Sequence, residues 1–66
     1  MMLATATEKR MLRECLMMTR ASADAVEAVM GRMTTLDAIA RLAEFLLAHP
    51  RAAEGEILSV AYQRGS

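Results

Sequence analysis

The segment TLDAIARLAEFLLAH, residues Thr35–His49, is the strongest structural signal in this chain. At about 100° per residue of an α-helix, its charged residues Asp37, Arg41 and Glu44 fall on one narrow strip. Apolar residues cover the rest of the circumference, and a helix of this kind must be buried on more than one side. We therefore predict a helix here, at the centre of a small helical domain that has little else to cover it.

Capping residues around this segment divide the rest of the chain into further helices. Thr5 followed by Glu8 matches a capping box, and Ser22 is a favourable N-cap. Pro50 stops the third helix and can open a fourth, and no segment alternates with the period of a strand. We predict a single all-α domain over 1–66, a small bundle of three to four short helices at about 6–19, 22–33, 35–48 and 51–64, with 35–48 as the central helix.

The sequence is compatible with more than one position for some helix boundaries. The junction Arg20-Ala21-Ser22-Ala23 contains neither Gly nor Pro, so one continuous helix from about 6 to 30 is an alternative to two. Thr34 with Asp37 resembles a capping box for the third helix. Gly65 is a plausible stop for the fourth.

The size and composition of the chain favour self-association. A domain of this length buries only about 60% of its unfolded surface, and its aromatic residues are limited to one Phe and one Tyr. Small domains compensate with disulfides, metals or oligomerisation, and a single cysteine excludes an internal disulfide. We predict a homodimer, or docking on a protein partner, with four interface residues. Leu42, Phe45 and Leu46 are expected at the two-fold axis, and Met17, which falls among the arginines of the first helix, is a further contact.

No cluster of residues specifies a chemistry. Cys15 and His49 are the only Cys and His, whereas structural zinc sites commonly use four such ligands. Cys15 sits in an apolar stripe, where a thiol is usually an inert small hydrophobe. The same reasoning assigns four methionines to core packing: Met11, Met18, Met30 and Met33. We predict no catalytic residue, no metal, no cofactor and no enzyme activity.

The charge balance gives no support for a nucleic-acid binder, because eight basic residues oppose eight acidic ones. The alternative that we retain is a dimeric helix-turn-helix-like DNA-binding regulator formed by Ser22–His49. Against it, the exposed strip of the presumed reading helix carries two acidic residues, Asp37 and Glu44.

The chain shows neither the pattern of a signal peptide nor an apolar run long enough for a membrane span. A lone cysteine favours a reducing compartment, so we expect a cytoplasmic protein. Seven of its eight basic residues are Arg, which is typical of a bacterial or phage coding sequence. The favoured function is a small non-enzymatic protein–protein interaction or regulatory module that acts through helix pairing.

Overall fold

The computed structural model describes residues 1–63, and within them it contains four α-helices and no strand. The helices are α1 (Ala6–Met17), α2 (Ala23–Met30), α3 (Leu36–Ala48) and α4 (Glu54–Ala61). The predicted all-α bundle of short helices is confirmed, and the first two helices are separate. Helix α4 ends at Ala61, three residues before its predicted end at Arg64. The predicted stop at Gly65 lies outside the described residues.

The first two helices begin where their capping residues predict. The Thr5 side chain accepts a hydrogen bond from the Glu8 backbone N–H at 3.3 Å, and a Glu8 carboxylate oxygen accepts one from the Thr5 N–H at 2.7 Å. These two bonds complete the capping box. At the start of α2, the Ser22 hydroxyl accepts a hydrogen bond from the Ala25 N–H at 3.2 Å.

The break between α1 and α2 depends on a threonine rather than on Gly or Pro. The Thr19 hydroxyl donates a hydrogen bond to the Leu16 carbonyl at 2.6 Å and accepts one from the Ala21 N–H at 3.2 Å. Such local bonds from a short polar side chain compete with the helical backbone pattern. The chain therefore leaves the helix after Met17, two residues before the predicted end.

Helix α3 begins at a different threonine from the predicted one. The side chain that caps it belongs to Thr35, which accepts a hydrogen bond from the Ala38 N–H at 3.1 Å. The backbone carbonyl of Thr34 instead accepts one from the Ala4 N–H at 3.0 Å. Thr34 lies in an extended segment that pairs with the N-terminal residues, so it is not the cap.

This pairing is a short antiparallel bridge between residues 2–4 and 34–36. The Leu36 N–H donates to the Met2 carbonyl at 3.1 Å, next to the bond between Ala4 and Thr34. Because α1 begins two residues after Ala4 and α3 begins at Leu36, the bridge holds the N-terminal ends of these two helices together.

The predicted start of the fourth helix at about residue 51 is wrong. Pro50 lies in a turn, in which the Ala52 N–H donates to the His49 carbonyl at 3.1 Å. The helix begins only after Ala53, whose backbone is extended and whose N–H donates to the Glu56 carboxylate at 2.9 Å. Pro50 therefore ends α3 but does not open α4.

All four helices share one core. The backbone of α1 runs close to those of α2 and α3, and the backbone of α4 runs close to the same two. Within the described residues, the backbones of α1 and α4 do not approach each other closely, and neither do those of α2 and α3. The helices thus form a closed ring around the core, rather than a layer around α3. The buried side chains of the core are Leu12, Leu16, Val26, Val29, Met33, Leu42, Ala52 and Ile57.

Contacts at the surface reinforce this ring. Arg13 of α1 forms an ion pair with Glu27 of α2. The Arg32 guanidinium lies 4.3 Å from the centre of the Tyr62 ring, which attaches the α2–α3 connection to the end of α4 by a cation–π contact. Among residues 1–63, none of the helices has the length and apolar character needed to cross a membrane.

Candidate interaction surface

The orientation of α1 follows from the contacts that it makes. Leu12 and Leu16 point into the core, and Arg13 points toward its ion-pair partner on α2. The helices whose backbones run closest to α1 are α2 and α3. Because Arg13 marks the edge of α1 that faces α2, the edge on the other side of Leu12 and Leu16 faces α3. Helical periodicity of 3.6 residues per turn places Cys15 on that edge.

The α3-facing edge of α1 is apolar and exposed. Met11 is 62% exposed and Met18 is 88% exposed, and Cys15, which lies between them, is exposed as well. The three residues are spaced by four and then three positions, so they form one line along the helix. This line is not covered by any part of the described chain.

The neighbouring edge of α3 is apolar in the same way. The side of α3 that carries Ala38 and Arg41 lines a concavity together with Tyr62, so that side faces α4. The opposite side therefore faces α1, and its most exposed residue is Leu47, at 84%. Four apolar residues with the spacing of a coiled-coil seam share this edge, namely Leu36, Ala40, Ala43 and Leu47.

We call the two edges together the α1/α3 strip, defined as Met11, Cys15, Met18, Leu36, Ala40, Ala43 and Leu47. Leu36 and Ala43 are half-buried at its floor, and the other five residues are exposed. At the N-terminal end of the strip, Leu36 is bonded to Met2, whose own side chain is 71% exposed. Exposed apolar surface that is grouped in this way is typical of a docking site.

Of the four interface residues predicted from sequence, Leu42, Phe45 and Leu46 lie on α3, whereas Met17 lies on α1. Leu42 is 1% exposed and belongs to the core of the single chain, so it is not part of the α1/α3 strip. Phe45 and Leu46 are half-buried and pack against that core. Met17 is 69% exposed but lies on the α2 side of α1, where it lines a concavity with Arg13.

Three exposed residues of the strip were missed by the sequence-based prediction. The apolar pattern predicts Met11 and Met18 in the core, and it marks Leu47 only as part of the apolar face of the third helix. Their signal was the seven-residue interval in α1 and the alternating four- and three-residue intervals in α3. These intervals mark a seam, but the sequence does not show whether the seam faces inward or outward.

The assignment of Cys15 to a buried stripe is also wrong, because its side chain is exposed. His49 ends α3, where its ring lies 4.8 Å from the Phe45 ring, and it lines a concavity with Pro50 and Glu56 near the start of α4. Cys15 does not line this concavity. Within residues 1–63, no three His, Cys, Asp or Glu side chains group as metal ligands.

Comparisons of this chain with protein-family models, curated proteins and solved structures give no significant match.

Proposed function

We propose that this protein is a small non-enzymatic interaction module that acts through helix pairing, and that its α1/α3 strip pairs with a second copy of the chain. The observation that carries the proposal is the exposure of Met11, Met18 and Leu47 along two adjacent helix edges. These side chains favour association in water, because their apolar surface is removed from solvent only when a partner covers it.

The size of the exposed surface is sufficient for a dimer. Two copies bring six large side chains of the strip into one interface. Complete burial of such a side chain contributes about 1.5–3 kcal/mol. The total is of the same order as the cost of association, about 4–15 kcal/mol. A second copy can therefore cover the strip and form a dimer of weak to moderate affinity.

The charges beside the strip are compatible with self-pairing. On the outer side of α1 the strip is bordered by Arg10 and Glu14, and on the outer side of α3 by Asp37 and Glu44. Because both signs are present, a two-fold arrangement can place Arg10 of one copy beside an acidic residue of the other. A border of one sign would repel its own copy.

The exposed thiol supports action in a reducing compartment, and we propose the cytoplasm of a bacterium or phage-infected bacterium. Free exposed cysteines persist where cellular reductants keep thiols reduced. The Arg-rich, Lys-poor composition supports the bacterial or phage origin.

The helix-turn-helix alternative has less support than the interaction module. In a DNA-reading pair, the two helices pack directly on each other across a short turn. Here the backbones of α2 and α3 do not approach each other closely within residues 1–63, and each runs closer to α1 and α4. We therefore place the DNA-binding regulator second.

The proposal is tested by size-exclusion chromatography with light scattering at low and high protein concentration. We expect the wild-type chain to reach twice its mass of 7.2 kDa at high concentration. The variant Leu47→Glu removes the dimer by placing a charge in the strip. The matched control is Met17→Glu, which places the same charge at another exposed apolar residue, on the α2 side of α1.

Circular dichroism of each variant confirms that the fold is retained, which we expect because both positions are exposed. A wild-type chain that stays monomeric at millimolar concentration would overturn the proposal. So would a dimer that Leu47→Glu and Met17→Glu affect equally, because the interface would then lie elsewhere.

A further inference from the structure

We infer that Met11 and Met18 are modification sites, at which oxidation of the thioether to the sulfoxide separates the two copies of the chain. The inference rests on the proposed self-pairing and adds regulation to the same surface. Both of the large exposed side chains that α1 contributes to the strip, Met11 and Met18, are methionines, which can be oxidised where they are reached by solvent. Leucine would contribute similar apolar area without a reactive sulfur.

The reaction needs a two-electron oxidant, and hydrogen peroxide is the simplest member of this class. A lone pair of the methionine sulfur attacks one peroxide oxygen, and the O–O bond breaks as the S–O bond forms. The second oxygen leaves as hydroxide and takes the proton of the first, so that water is released. The sulfur loses two electrons and the peroxide gains them, which produces methionine sulfoxide.

The position of each methionine determines whether peroxide can reach it. Met11 and Met18 are 62% and 88% exposed in the single chain, whereas Met33 is 2% exposed in the core. In the dimer, the first two are covered by the second copy, so the monomer is the form that reacts. Oxidation therefore converts monomers to a form that does not pair, so the fraction of dimer falls.

The sulfoxide opposes pairing because it is polar. Around Met11 and Met18 the strip consists of Leu36, Ala40, Ala43 and Leu47, which offer no side-chain donor to the new oxygen, and Cys15, whose thiol is only a weak donor. A buried acceptor without a partner is costly. Oxidation of both residues is expected to weaken dimerisation at least tenfold. Oxidation of Met17, outside the strip, leaves dimerisation unchanged.

The experiment uses the full chain with Cys15→Ala, which removes the competing thiol. In this background the double variant Met11→Leu/Met18→Leu is compared with Met17→Leu and with the unmodified parent. Each is treated with hydrogen peroxide, and its dimer dissociation constant is measured by light scattering before and after. Peptide mass spectrometry reports the sulfoxide fraction at every methionine, at low and at high protein concentration.

Three results are expected. Peroxide raises the dissociation constant of the parent and of Met17→Leu at least tenfold but leaves the double variant unchanged. Sulfoxide forms more slowly at Met11 and Met18 when the protein concentration is raised, whereas the rate at Met17 does not change. Met33 stays unoxidised in all samples, because it is buried.

An untreated parent that dimerises through the strip, but whose dissociation constant peroxide leaves unchanged, would refute this inference alone. Equal sensitivity of the double variant and the parent would refute it as well. An untreated wild-type chain and parent that never dimerise would instead refute the proposed function, and the inference with it.

Discussion

Leu16 and Leu47 are the same residue type in opposite environments. Leu16 is 0% exposed in the shared core, and Leu47 is 84% exposed in the α1/α3 strip. The sequence presents both as apolar positions of a helix. Leu16 therefore stabilises the fold of the single chain, whereas Leu47 is accessible to a partner.

We predict that Leu16→Ala lowers the free energy of unfolding by about 2–5 kcal/mol, because it removes buried methyl groups and leaves a cavity. Leu47→Ala changes it by no more than about 0.5 kcal/mol in the monomer, as is usual for exposed sites. Urea denaturation followed by circular dichroism, at a concentration where the chain is monomeric, measures both. Equal losses for the two variants would contradict the burial described here.

At the scale of the element, each helix boundary depends on a few hydrogen bonds at its end. Thr5, Ser22 and Thr35 each satisfy a backbone N–H that the first helical turn leaves without a partner. These caps could be read from the sequence to within one residue. The hydrogen bonds of Thr19, which separate α1 from α2, could not, because a threonine at that position is also compatible with a continuous helix.

We predict that Thr5→Ala and Ser22→Ala each lower the free energy of unfolding by about 1 kcal/mol through loss of a cap. The control is Thr7→Ala, an exposed threonine inside α1 whose replacement removes no capping bond and slightly favours the helix. Urea midpoints of the three variants give the comparison. A loss for Thr7→Ala as large as that for Thr5→Ala would show that the capping bonds do not stabilise α1.

At the scale of the whole molecule, the ring of four short helices encloses a core of eight buried side chains. A chain of this size gains only a small net stability from folding alone. Pairing of the α1/α3 strip with a second copy would add to that stability by mass action, because only the folded chain presents the strip.

We predict that the thermal unfolding midpoint of the wild-type chain rises with protein concentration, whereas that of Leu47→Glu stays constant. Differential scanning calorimetry over a hundredfold range of concentration checks this. A midpoint that rises equally for Met17→Glu and the wild type is the expected control result. A wild-type midpoint independent of concentration would mean that folding and association are not linked.

The sequence by itself determined the helical class and most of the helix positions, because capping and apolar periodicity act within a few neighbouring residues. It also determined that the chain carries more apolar surface than four short helices can enclose. It did not determine where α4 begins, since the turn at Pro50 is completed by Ala52 and His49.

Only the tertiary structure decided which apolar residues form the core and which form the strip. The backbone of each helix runs close to two others, so the buried arc of each helix is the one that faces those two and the core between them. The apolar stripe of α1 is wider than that arc, which leaves Met11 and Met18 outside and Leu16 inside. Leu42 faces the core, whereas Leu47 faces solvent, because the neighbours of α3 set the direction of its buried side. That direction depends on how separate helices pack, and no local sequence pattern specifies it.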